Sequence, residues 1–249
     1  MGKTVLVIQA HPDDAEFRVS GTVAKFAREG DEVFYVTITD GSKGTFDPSS
    51  DPAALSEVRE AEQMRAAEVL GVKEAFFLRH ADGELMPSIE LRDTLIRFIR
   101  KLRPAIVMTL DPWLPYNVHP DHRAAGIVSA EATAFAGMPS FCRHQLALGL
   151  HEHQPKQIYF FRTNEPNEWV DISDTIDAKI RAILCHRSQL ALSPELAGEV
   201  VGMGELEARV ARDVRKRAAE IGSRCGKPYA EAFKVLDVEA GHFKVDLLY

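Results

Sequence analysis

The feature that most limits what this chain can fold into is a repeated alternation of short apolar runs with longer amphipathic segments. Thr4 to Gln9, Glu32 to Thr39 and Ala105 to Leu110 are runs of the kind that a parallel sheet buries on both faces. Each is followed by a segment of helical periodicity: Ala15 to Arg28, Ser56 to Leu70, and Arg123 to Phe135. Ala75 to Leu78 with Ile89 to Leu102 makes a further pair, and Gln157 to Phe161 reads as another strand. Gly30, Gly71 and Pro104 fall just after helical segments, where a left-handed cap or a stop is expected. Alternating strands and helices imply an α/β fold with a mainly parallel sheet and right-handed crossovers. With 249 residues, 45% of them hydrophobic, the chain can fill one core, so residues 1–249 are expected to form a single domain. Beyond Phe161 the pattern loosens. Ile176 to His186 and Leu206 to Ile221 read as helices, and Tyr229 to Leu236 as helix or strand.

Two copies of one pattern punctuate this alternation. His11-Pro12-Asp13-Asp14 follows the first apolar run, and His119-Pro120-Asp121-His122 lies between the Ala105 to Leu110 run and the helical segment at Arg123. In an open parallel sheet both turns lie at the carboxyl ends of strands, where ligands bind, so the two can share one crevice. A single copy has an ordinary explanation, because Asp and other small polar residues suit helix starts. Two copies at equivalent strand ends supply three potential metal ligands with an Asp and a His to spare, which capping does not require.

A catalytic zinc ion takes three His or carboxylate ligands and keeps one position for water, whose pKa falls to near 7 while the metal polarises a carbonyl. His11 and Asp14 can reach one ion from the first loop, and His122 from the second. Asp13 is then a free carboxylate beside the site, as a general base requires. His119 can stabilise the oxyanion or protonate the leaving group, with Asp121 orienting its ring and raising its pKa. No Gly-x-Ser-x-Gly elbow and no nucleophilic cysteine setting is present, which disfavours an acyl-enzyme route. A dinucleotide Gly-x-Gly-x-x-Gly is also absent after the first run.

The formal net charge of −7 argues against nucleic-acid binding, because the basic residues around Arg212 to Arg217 are interleaved with acids. No apolar run approaches the roughly 20 residues of a membrane span, and no signal peptide fits between Met1 and the first strand. Cys142, Cys185 and Cys225 stand singly, as reduced thiols of a cytoplasmic protein would.

His11-Pro12-Asp13-Asp14-Ala15-Glu16, followed by Gly21-Thr22, resembles the first signature of the LmbE/PIG-L superfamily of zinc-dependent N-deacetylases, and His119-Pro120-Asp121-His122 resembles its second. The likeness continues through Thr39-Asp40-Gly41-Ser42-Lys43-Gly44, Arg59-Glu60, Ala67 to Val72 and His186-Arg187-Ser188-Gln189, and so spans residues 3–190, leaving 191–249 as an accessory part. The resemblance implies a Rossmann-like three-layer fold and removal of an acetyl group from a small N-acetylglucosamine-containing substrate. It also implies His11, Asp14 and His122 as ligands of Zn2+, with Fe2+ or Co2+ acceptable to the same donors, Asp13 as base, His119 as oxyanion stabiliser or acid, and Asp121 as its orienting partner. A homo-oligomer, trimeric or hexameric, follows by the same likeness. Asn117 stands where mycothiol-type relatives place a gating tyrosine.

Other residues leave two readings open. Arg59 either holds a sugar hydroxyl or pairs on the surface with Glu60 or Glu62. Asp82 either accepts from sugar hydroxyls or forms an Asp-Gly turn, and Trp113 either stacks on a sugar or anchors its loop. His186 lines the site or answers a helix dipole; His151 and His153 reach a neighbouring subunit or lie on the surface. A sugar- or nucleotide-binding protein with a structural metal, or a metal hydrolase of another amide or ester, is the alternative to a deacetylase.

Overall fold

A computed structural model describes residues 2–190 and 202–244; of the expected accessory part, 191–201 and 245–249 lie outside the described residues. In chain order the elements are β1 (Thr4–Gln9), α1 (Asp14–Arg28), β2 (Glu32–Thr39), α2 (Pro52–Leu70), β3 (Glu74–His80), α3 (Ile89–Leu102), β4 (Ile106–Leu110) and α4 (Pro120–Phe135). There follow α5 (Arg143–Ala147), β5 (Gln157–Phe161), β6 (Glu168–Asp171), α6 (Ile176–Ile183), α7 (Arg187–Leu190), α8 (Met203–Gly222), β7 (Ala230–Glu239) and β8 (His242–Phe243).

The sheet runs β3-β2-β1-β4-β5-β7-β6, with β8 paired to β7. The first five strands are parallel, and β7 is antiparallel to both β5 and β6. The expected α/β architecture is therefore present, with an antiparallel extension that the sequence did not suggest. β2 and β4 flank β1 on opposite sides, so the chain order reverses there and the loops leaving β1 and β4 open into one crevice. That reversal brings the two His-Pro-Asp motifs together. Val5, Leu6, Val7 and Ile8 of β1 and Val107 and Met108 of β4 are wholly buried, as helices on both faces require. In α3, Leu91, Leu95, Ile96 and Ile99 form the buried stripe, each contributing about 1.5–3 kcal/mol by leaving water.

Two helices start before their apolar periodicity does. α2 begins at Pro52 because Asp51 caps it, accepting from the Ala53 amide at 3.0 Å. α4 begins at Pro120, which puts His122 in its first turn. The Tyr229 to Leu236 segment belongs to β7. Its Glu231 is buried, pairs with Lys179 at 2.6 Å, and accepts from the amides of Gly21 and Thr22 at 3.0 and 2.7 Å. An acid inside the sheet breaks the apolar alternation that would have marked a strand. No helix among the described residues is long and apolar enough to cross a membrane.

Candidate active site

His11 ends the β1 turn buried among three carboxylates. Its Nε2 lies 3.0 Å from Asp121 and 3.1 Å from Asp82, and its Nδ1 3.4 Å from Asp14. Burial alone would lower the pKa of this ring, but the bonds to Asp121, Asp14 and Asp82 hold it well above the usual value. His122, from α4, places Nε2 3.2 Å from the other oxygen of Asp14. Burial works against the Asp14 charge, and His122 and His11 overcome it, keeping that carboxyl well below its usual range. The His119 ring stacks on His122 with centroids 4.2 Å apart and meets His11 at 4.7 Å. Ring nitrogens of His11, His119 and His122 lie within 4.8 Å of one another, and Asp14 touches two of the three rings. Imidazoles and a carboxylate converging from two loops are a donor set that suits a divalent cation. His119 stands closer to this set than the expected trio of His11, Asp14 and His122 implied. A second group, His11 with Asp82 and Asp121, shares the same ring.

Asp13 occupies the N-cap of α1 with φ 106° and ψ −23°, and its side chain makes no capping bond. Its carboxylate instead faces Arg59 at 3.2 Å. Burial pushes the Asp13 pKa up to about 6, Arg59 pulls it down, and Asp14 pushes it up. Arg59 is buried and donates to the carbonyls of Gly41 at 2.8 Å and Pro12 at 2.7 Å. The surface-pair reading of Arg59 is thereby corrected: Glu60 pairs with Arg79, and Glu62 accepts from Ser188. Gly41, at φ 65°, makes room for that guanidinium, since a Cβ there would sit 2.8 Å from Arg59 Cζ.

Two other expectations are corrected. Asp121 does not orient His119; it accepts from the amides of Gly83 and Leu85 and from His11. His119 accordingly has its pKa lowered, by burial and by the neighbouring His122 and His11, and its Nδ1 is buried with no hydrogen-bond partner. Asp82 is buried against His11 and the Lys43 amide, which ties it to the loop after β2 and not to an open sugar subsite. Trp113 packs against Phe160 in a T-shaped contact with centroids 5.4 Å apart, in line with a loop anchor, and 62% of the residue is exposed. His186 is fully buried with Nε2 3.4 Å from Glu16. His151 is exposed, and His153 bonds back to the Pro104 carbonyl at 2.8 Å.

Gln9, Gln63 and Arg162 carry no mark of a role in the sequence, and Glu16 only its place in the first signature. Arg162, in a left-handed conformation after β5 (φ 58°), sits against His122 Nδ1. Its position just past an apolar strand was the only available signal.

The family model described as GlcNAc-PI de-N-acetylase (PIG-L) matches residues 6–133, just over half of the chain and both motifs. The chain belongs to the PIG-L family. Diacetylchitobiose deacetylase of Thermococcus kodakarensis is 45% identical over 187 residues, covering 75% of this chain and 70% of that protein. Probable N-acetyl-alpha-D-glucosaminyl L-malate deacetylase 2 of Bacillus anthracis is 29% identical, over 75% and 81% of the two chains. Among solved structures, N,N'-diacetylchitobiose deacetylase from Pyrococcus horikoshii, complexed with its inhibitor MPG, matches 96% of this PIG-L family chain and 84% of its own. Its TM-score is 0.83 and its identity 36%.

Proposed function

We propose that the chain is a metal-dependent hydrolase that removes the acetyl group from the nitrogen of a small N-acetylglucosamine-containing molecule. Asp13 carries this reading. It is a carboxylate free of capping duty, held by Arg59, with its pKa pushed up to about 6, beside a His/Asp set that suits a divalent cation. His11, Asp14 and His122 would hold that cation; we propose zinc, with iron(II) or cobalt(II) acceptable to the same donors. When bound, such an ion acidifies water and polarises a carbonyl.

Asp13, ionised above its pKa, takes a proton from the attacking water and returns it to the amine nitrogen as the C–N bond breaks, giving acetate and a free amine. His119 is neutral near pH 7 because its pKa is lowered, and in that form its ring N–H can donate to the acetyl oxygen as negative charge builds there. Asp121, bonded to His11 at 3.0 Å, fixes the orientation of a ligand ring. Trp113 offers its exposed face to a sugar ring.

The substrate class rests on the names of the relatives, which act on diacetylchitobiose and on a glucosaminyl malate. Free cysteines support a cytoplasmic setting, and one sheet holding strands from Thr4 to Phe243 supports reading the chain as one domain. The test is primary-amine release from N-acetylglucosamine, diacetylchitobiose and an N-acetylglucosaminyl-inositol analogue by zinc-loaded and chelated protein in parallel. Release by the zinc-loaded form alone is expected. No release from any of the three with zinc bound would overturn the reading.

A further inference from the structure

Aspartate favours the N-cap of a helix because its carboxylate accepts the unpaired amides of the first turn. Asp13 holds that position in α1 and makes no such bond. The Ala15 amide donates instead to Gln9 Oε1, at 2.8 Å, from the end of β1. The Asp13 amide donates to Gln63 Oε1, at 2.9 Å, from α2. The two glutamines are linked, since Gln9 Nε2 donates to Gln63 Oε1 and to Thr37 Oγ1, both at 2.9 Å. Gln63 Nε2 in turn donates to Glu16 Oε1 at 3.0 Å. These partners fix both amides: a backbone N–H only donates, so each glutamine oxygen must face one, and the nitrogen of Gln63 then faces Glu16. Gln9, Glu16 and Gln63 are fully buried. A non-glycine residue at φ 106° is strained and persists only where its surroundings over-determine it.

We propose that Gln9 and Gln63 are positioning residues for the deacetylation. Gln9 caps α1 in place of Asp13, and Gln63 holds the Asp13 backbone in its left-handed conformation. Together they keep the Asp13 carboxylate off the helix terminus and turned toward Arg59 and the crevice. Without them the open amides of the first turn draw the carboxylate back, where it becomes a cap and ceases to be a base. The inference rests on the role of Asp13 given under the proposed function.

Gln63→Met keeps the length of the side chain and removes its hydrogen bonds. It is expected to lower kcat by about 10- to 100-fold, the effect of a misplacement near 1 Å, with KM within about twofold of wild type and zinc bound stoichiometrically. Because Gln63 acts through Asp13, adding Gln63→Met to Asp13→Asn is expected to change the residual rate little. A merely structural role would give multiplying losses in that double variant. Multiplying losses, an unchanged kcat in the single variant, or loss of zinc would each overturn the proposal. If Gln63→Met does not fold, Gln9→Met carries the same comparison. Amine release by wild type is measured first: its absence overturns the functional reading, whereas its presence with multiplying losses overturns only the positioning role.

Discussion

Asp13→Asn removes a charge and keeps a shape. Loss of the base is expected to lower kcat by about 10²- to 10⁴-fold, with zinc retained, as initial rates and metal analysis would read. The same change is expected to stabilise the metal-free chain at pH 8 by about 1–3 kcal/mol. The sign follows from burial, which raises the folded pKa to about 6 from an ordinary 3.8. Below the ordinary value the residue is protonated, folded or unfolded, and carries no penalty; the penalty grows as pH rises toward 6 and is then constant. Thermal melts of chelated wild type and variant should therefore separate at pH 8 and converge near pH 3, and identical melts at both would contradict burial as the cause. His122→Ala is expected to lose zinc along with activity, and stoichiometric zinc in that variant would remove His122 from the ligand set. The paired motifs were legible because their residue types stand together in the string. The roles of Gln9 and Gln63 were not, since a glutamine ending an apolar run or lying in a charged helix looks like any other. Asp121 was misassigned, and Asp82 kept its Asp-Gly turn but not its sugar, for a related reason: spacing says which rings a carboxylate can reach, and here three carboxylates converge on His11, with Asp14 shared by His122.

Among the elements, those with unbroken periodicity were readable nearly to the residue. β2, α3 and β5 fall where their apolar patterns put them, while α2 and α4 extend back to caps and prolines that carry no apolar signal. β7 was ambiguous because Glu231 interrupts it, and that same residue makes β7 matter to α1. Gly21 N and Phe17 O, one helical turn apart in α1, both meet the Lys179–Glu231 pair. α1 carries Asp13 and Asp14 at its start, so the ion pair anchors the helix behind the site. Glu231→Ala leaves Lys179 buried without its countercharge and is expected to cost about 3–5 kcal/mol, measured as a lowered denaturant midpoint. A stability within about 0.5 kcal/mol of wild type would mean the pair only replaces packing that a neutral residue supplies.

At the scale of the whole molecule, the loops after β2, β3 and β4 carry Phe46, Met86, Trp113, Tyr116 and Val118 with their side chains exposed, Tyr116 by 98%. Apolar residues gathered at one end of a sheet favour contact with another surface. Sedimentation velocity is expected to find a homo-oligomer that Tyr116→Asp with Val118→Asp shifts toward monomer; a wild-type monomer at micromolar concentration would oppose it. The placement of β7 bears on how the chain is made. β6 pairs with β7 alone in the described sheet, yet β6 leaves the ribosome first, so the outer strand is delivered before the inner one it must join. Until residues 230–239 emerge, β5 is an open edge and β6 has no neighbour. Such long-range pairing is slow and leaves the nascent chain prone to association. Synthesis of this chain thus has a vulnerable interval between Phe161 and Ala230, in which the sheet stands with one edge unclosed.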